Sequence, residues 1–255
     1  MSIIKNEIPI LEFDTDQSAV INPNHEKIDL KLPEKCVFAF LGENISKFAS
    51  RSETVKVSEF LSMTKRYPIY VTYYKGERIT LCEAPVGAAA AAQILDWLIG
   101  YGVRKVISAG SCGALEDFPE GTFLVPRKAL RDEGTSYHYA PPSRFITICE
   151  GARKAIEDTV LERGMKYSEV ITWSTDGFFR ETKEKVNYRK SEGCSVVEME
   201  CSALAAVSAF RGITFGMILY TADSLADVDK YDERNWGANV NEYALTLCLD
   251  AVLKL

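Results

Sequence analysis

This 255-residue sequence is poor in the residue types that most readily announce a chemistry. It has two histidines, and its seven cysteines (Cys36, Cys82, Cys112, Cys149, Cys194, Cys201 and Cys248) are odd in number, scattered and without a CxxC pair. No zinc site or disulfide framework can be read from such a set. Most of these thiols sit in apolar runs and read as packing residues. Basic residues form no long run and the net charge is −6. Both facts speak against nucleic acid, which demands clustered Lys and Arg. No apolar stretch reaches 18 residues, so no membrane-spanning helix is expected. The start, Met1-Ser2-Ile3-Ile4-Lys5-Asn6-Glu7, lacks the basic and apolar regions of a signal peptide. Repeats, linkers and low-complexity segments are missing as well. What is present is an ordinary globular balance, 47% apolar and 26% charged, in a chain long enough for a single large core. The expectation is a cytoplasmic, metal-free, enzyme-sized domain.

The pattern along the chain alternates strand and helix. Residues 1–34 are mixed and rich in Asn, Pro and Asp, and predict an irregular arm, leaving 35–255 as one domain. Cys36–Leu41 is a continuous apolar run, the mark of a strand buried on both faces, followed by a short helix near Ile45–Ala49. Tyr67–Tyr74 and Glu77–Glu83 flank Lys75-Gly76 as a hairpin. Helices are predicted at Gly87–Ile99, Gly151–Gly164, Glu181–Arg189, Cys201–Phe210 and Val240–Leu253. Further strands are predicted at Lys105–Ala109, Thr122–Pro126, Glu169–Trp173, Ser195–Met199 and Thr214–Tyr220. Such alternation predicts an α/β fold with a mainly parallel or mixed sheet between helices.

Open α/β sheets bind ligands at the C-terminal edge of their strands, and four polar or glycine-rich stretches are expected to form turns there. Val197-Glu198-Met199-Glu200 ends a strand and hands over to a helix of small residues. Carboxylates in that place can grip a sugar diol through charge-assisted hydrogen bonds; standing alone, they would equally cap the helix and favour its dipole. Gly110-Ser111-Cys112-Gly113 offers close backbone approach and a hydroxyl, which suits an oxyanion. Asp223 follows a buried strand and can donate a proton if its pKa is raised, with Arg234 as a partner that would tune it. Leu41-Gly42-Glu43 is the fourth. Arg131–Tyr139, with His138, could line a pocket or an interface, and the aromatics of Trp173–Phe179 could stack on a flat ring.

Taken in order over about residues 36–254, these segments resemble the purine nucleoside and uridine phosphorylase superfamily. The resemblance implies a single-domain nucleoside phosphorylase-like fold with a central mixed, partly barrel-like sheet, no cofactor, phosphate as co-substrate, and a homo-oligomer, a dimer or hexamer. The implied activity is cleavage of the N-glycosidic bond of a nucleoside by phosphate, giving free base and ribose 1-phosphate. On this basis Glu198, Met199 and Glu200 would hold ribose, and Asp223 with Arg234 would protonate the base. Cys112, Gly113 and Phe178 would contact the base, and Gly42, Ser111 and Lys47 would bind phosphate.

Two departures bear on the nucleophile. The family places arginines that hold phosphate where this chain has Ser46 and Ser108. Lys47 stands one step from Ser46, and Lys65 or Arg66 could reach a neighbouring subunit's site. Each lost arginine removes contacts worth about 1.5–3 kcal/mol. Where uridine phosphorylases read uracil with Gln and Arg, this chain has Thr182 and Glu184, while the acid at Asp223 is of the purine type. Three readings therefore stand side by side: a phosphorylase with an altered phosphate site, a nucleoside hydrolase (with Glu43 nearest to serve water), and a non-catalytic nucleoside-binding protein.

Overall fold

The computed structural model describes residues 3–51 and 53–255; Met1 and Ser2, the start of the expected arm, lie outside the described residues. Ten strands form one mixed sheet. They are β1 (Lys35–Ala39), β2 (Thr54–Leu61), β3 (Arg66–Tyr74), β4 (Glu77–Glu83), β5 (Lys105–Ala114), β6 (Phe123–Asp132), β7 (Phe145–Thr147), β8 (Ser168–Thr175), β9 (Cys194–Glu198) and β10 (Thr214–Ser224). Helices α1 (Glu43–Ala49), α2 (Ala88–Gly100), α3 (Glu150–Glu162), α4 (Lys183–Ser191), α5 (Cys201–Arg211) and α6 (Asn241–Leu253) connect them.

One half of the sheet is open, in the order β2-β3-β4-β1-β5. The other half closes on itself. β5 pairs with both β10 and β9, β10 with β6, β6 with β8, and β8 with β9, so five strands complete a small barrel.

The apolar runs read in the sequence are strands covered on both faces. Cys36 and Phe38 face one hydrophobic cluster, with Leu95 and Leu98 of α2 and Leu204 and Val207 of α5. Val37 and Ala39 face the opposite cluster, with Ile156 of α3 and Leu245 and Leu249 of α6. Alternate residues from Cys36 to Ala39 thus meet different helical layers, and no polar residue falls among them. The many alanines of α2 and α5 let these two helices pack against each other closely.

Several expectations are corrected. Gly110-Ser111-Cys112-Gly113 is not a turn: β5 runs unbroken to Ala114, with Ser111 paired to Tyr220 and Gly113 to Val197. Likewise β10 continues through Asp223 to Ser224. Barrel closure gives these stretches partners on both sides, so the ladder extends through glycine and polar residues that would otherwise end it. Strands β2 and β7 escape the sequence reading. β2 is an edge strand whose Val55 and Val57 face solvent, and β7 has three residues. Helix α4 begins at Lys183, not Glu181, because the Thr182 hydroxyl accepts from Lys185 N at 3.3 Å and caps it.

Residues 3–34 contain one 3-10 turn, Pro9–Leu11, and lie over the ends of α2 and α5. Gln17 donates to Phe210 O at 2.8 Å, Arg211 donates to Gln17 O at 2.6 Å, and Leu32 N donates to Tyr101 O at 2.8 Å.

Candidate functional site

The far ends of β5, β9 and β10 and the start of α5 enclose a cleft of about 340 Å³. Its walls bring together Ser111, Cys112 and Gly113 from β5, Glu198, Met199 and Glu200 from the β9–α5 junction, Asp223 from β10, and Phe178. Eight of the residues expected at a site thus share one cavity. Phe40, Val86, Gly110, Glu181, Val197, Met217 and Trp236 complete the lining.

The two glutamates differ in their commitments. Glu198 is buried and its carboxylate is saturated. One oxygen accepts from Thr172 Oγ1 at 3.1 Å and Ser174 Oγ at 2.5 Å, the other from the backbone N–H groups of Glu200 at 2.7 Å and Cys201 at 2.6 Å. It caps α5 and ties that helix to β8, so it supports the cleft from beneath. Burial raises its pKa, against the pull of these donors. Glu200 accepts one strong bond, from Gly87 N at 2.5 Å. That N–H points at Glu200 because Gly87, at φ +103, takes a backbone conformation closed to most side-chain-bearing residues. Burial first, and the charge of Glu198 second, push Glu200 up to about 8.

Asp223 is 5% exposed, and burial raises its pKa; weaker influences from Tyr231 and Arg234 oppose this. Arg234 does not form an ion pair with Asp223. Its Nη2 donates to Phe118 O at 2.9 Å, its Nε stands 3.5 Å from Asp232, and it is not part of the cleft wall. It acts on Asp223 only through space. Gly113 lies so close that an added Cβ would stand 3.3 Å from Asp223 Oδ1.

Glu181 was not singled out in the sequence. It sits between Phe178 and the cap of α4, lines both the cleft and an adjoining cavity of about 150 Å³, and is raised to about 7 by burial and by Asp223. The only available signal was its place next to Thr182, within the segment that resembles a base site.

The phosphate side is where the structure departs most from expectation. Lys47 lies outside the cleft, lining a separate surface pocket with Phe48, Arg51 and Glu242, and it pairs with Glu43 at 3.2 Å. One step along a helix turns a side chain by about 100°, so Lys47 cannot take the place of Ser46. Gly42 precedes α1 but does not line the cleft. The Ser46 hydroxyl donates to Glu43 O at 2.9 Å, and the buried Ser108 hydroxyl has no partner among the described residues. Lys65 pairs with Glu83 at 2.7 Å, and Arg66 with Glu59 at 2.5 Å. Among the described residues, no Lys or Arg lines the cleft.

Burial drives the Cys112 thiol well above the ordinary range, where thiolate is scarce. His138 lies elsewhere, in a larger cavity of about 710 Å³ between the arm, α2 and the end of α5. There the Asp96 and Arg211 side chains already pair at 2.7 Å. Among the described residues, no helix is long and apolar enough to cross a membrane.

Comparison with known proteins bears on the family and the fold. Residues 34–254 match the family model described as the Phosphorylase superfamily. A guanosine phosphorylase of Halorubrum lacusprofundi is 27% identical over 212 residues, 78% of this chain and 85% of that protein. Uridine phosphorylase from Vibrio fischeri superposes with a TM-score of 0.77 at 24% identity, covering 92% of this chain and 95% of that one. An AMP nucleosidase from Bacteroides thetaiotaomicron superposes with a TM-score of 0.71 at 25% identity, over 90% and 91%.

Proposed function

The chain belongs to the phosphorylase superfamily, and on that premise we propose that it cleaves the N-glycosidic bond of a purine nucleoside. One observation carries the reading: a buried carboxylate suited to hydroxyls and a buried acid with a raised pKa line the same cleft. Glu200 accepts hydrogen bonds from the ribose hydroxyls, positioned by Gly87 N and by the junction that Glu198 clamps. Met199 packs on the sugar and Phe178 on the base. Asp223, whose pKa burial raises, gives a proton to a ring nitrogen as the C1′–N bond breaks and the bonding pair moves onto the base. In its ionised form Glu200 stabilises the positive charge that develops on the sugar. The relative named a guanosine phosphorylase supports a purine as the base.

Two nucleophiles fit this frame. Phosphorolysis follows the named phosphorylases, with Ser111 the polar side chain of this cleft placed to meet an oxyanion. Hydrolysis is favoured by a different observation: among the described residues, no Lys or Arg stands in the cleft wall. A phosphate dianion there would face carboxylates without a balancing charge. The neighbour named an AMP nucleosidase supports that reading.

The experiment is a nucleoside panel run with and without phosphate, with free base, ribose and ribose 1-phosphate quantified. Guanosine cleaved only with phosphate, to ribose 1-phosphate, establishes phosphorolysis. Free ribose formed without phosphate establishes hydrolysis. No base released from any purine nucleoside refutes the proposal.

A further inference from the structure

One wall of the cleft stands on strained backbone. Trp236 lines the cavity from the connection between β10 and α6. Trp236 (φ +54) and Arg234 (φ +49) both sit in the left-handed region. Residues with a Cβ avoid that region, so two of them separated only by Asn235 persist because their surroundings hold them there. Two of the holding groups come from the connection between β5 and β6. One oxygen of the Glu120 carboxylate accepts from Asn235 N at 3.0 Å and from Gly237 N at 2.9 Å, the backbone donors on either side of Trp236. Phe118 O accepts from Arg234 Nη2 at 2.9 Å. The β5–β6 connection is itself fixed to β10: Gly121 N donates to Thr221 O at 2.9 Å, and the Thr221 hydroxyl donates to Pro119 O at 2.6 Å. The strained segment also lies against the barrel, where a Cβ added at Gly237 would meet the Tyr220 ring at 2.9 Å. Glu120 therefore ties a strained loop to a closed barrel.

Resting on the reading of this cleft as an N-riboside site, we propose that Glu120 is a positioning residue that pins Trp236 to the cleft wall in the empty protein, so that this wall is set before a substrate arrives. What Glu120 supplies is geometry, not charge. Both donors meet the same oxygen, and an amide carbonyl can replace it. A side chain without an acceptor in that place leaves both N–H groups to water and frees Arg234 and Trp236 to return to ordinary backbone angles. The Trp236 ring, 49% exposed, then leaves the wall for solvent. A wall ordered in advance strengthens binding, because ordering the loop no longer opposes it. It favours substrate and transition state alike, so its loss appears in KM and not in kcat.

The test compares Glu120→Ala, Glu120→Asp and Glu120→Gln with the wild type. Of the three tryptophans, Trp97 and Trp173 are buried, so acrylamide quenching of fluorescence in the empty protein reads Trp236 above the others, and Trp236→Phe assigns its share. Glu120→Ala should raise the quenching of that share by about twofold, the change from half to full exposure. It should raise KM for guanosine by about 5- to 10-fold and leave kcat within about twofold. Glu120→Asp keeps the charge but withdraws the oxygen by one bond; it should behave as alanine does, and carries the same expectation if alanine fails to fold. Glu120→Gln should stay within about twofold of the wild type in quenching, KM and kcat. Unchanged quenching in both shortened variants overturns the inference. So does a glutamine as disruptive as alanine, which makes charge the agent, or a fall in kcat as large as the rise in KM. If the wild type cleaves no nucleoside, the proposed activity falls, and the quenching, which needs no substrate, still decides for or against the role of Glu120.

Discussion

Replacing Glu200 by Gln should stabilise the empty protein, and increasingly so as pH rises. In the folded state burial and the Glu198 charge raise this carboxyl from an ordinary 4.5 to about 8. Between those values the folded protein keeps a proton that the unfolded chain has released, so stability must fall with rising pH. The favourable contribution is complete below about pH 4.5, shrinks by about 1.36 kcal/mol per pH unit through the window, and is gone above about pH 8. The full window amounts to roughly 5 kcal/mol, and water entering the cleft reduces the expectation to about 2–4 kcal/mol. Glutamine keeps the acceptor that Gly87 N meets at 2.5 Å and removes the titration. Urea unfolding of both proteins at pH 5, 7 and 8.5 isolates the effect. Glu181, raised to about 7, slopes the same way in both proteins and cancels in the difference. The advantage of Glu200→Gln should widen by about 2–4 kcal/mol between pH 5 and pH 8.5. Curves that stay parallel within about 0.5 kcal/mol would refute the argument that the empty cleft holds a strained acid.

Glu198→Ala strands two backbone donors and two hydroxyls and should cost about 3–5 kcal/mol in urea unfolding, against about 1–2 for Glu198→Gln, whose amide can still serve both sides; a cost below about 1 kcal/mol for alanine would dismiss the clamp. Gly113→Ala places a Cβ 2.9 Å from Leu225 Cδ1 and 3.0 Å from Val197 Cγ1, which should cost about 1–3 kcal/mol and, by displacing Asp223, lower kcat more than it raises KM. Thermal melting and steady-state kinetics read both effects, and a variant with unchanged melting and turnover would contradict the close packing. Lys47→Ala should leave turnover and phosphate dependence within about twofold, since Lys47 faces another pocket; a tenfold loss would return it to the site.

The buried strands were legible because two helical layers leave an almost unbroken apolar run at Cys36–Ala39 and Val106–Ala109. Their extensions were not, because a ladder that continues through Gly110, Gly113 and Asp223 depends on partners from β9 and β10 that lie far away in sequence. The end of the cleft formed by β9 and α5 stood out as two acids at a strand–helix junction. Their division of labour did not: Glu198 is consumed by Thr172, Ser174 and two backbone groups, and only tertiary structure brings those together. Lys47 looked equivalent to its neighbour Ser46 in sequence, but helical rotation separates them. Glu181 had no pattern to mark it, since one acid before a helix cap is usually solvated.

The cleft is built from two kinds of backbone, which sets unequal terms for its evolution. Ser111, Cys112 and Gly113 stand on β5, which pairs with β10 on one edge and β9 on the other, and Asp223 stands on β10 where its register with β5 shifts between Thr221 and Ser224. An insertion or deletion in this part of β5 would throw two ladders out of register at once. Phe178, Glu181 and Trp236 stand on connections between elements, which can lengthen, shorten or be exchanged without disturbing a strand pair. On the proposed reading, the part of the base site formed by residues 176–182 and 225–237 can be remodelled, whereas Asp223 and the β9–α5 junction are held by the barrel. Variation of base contacts around a fixed proton donor and a fixed pair of glutamates is the change this architecture makes easiest to reach.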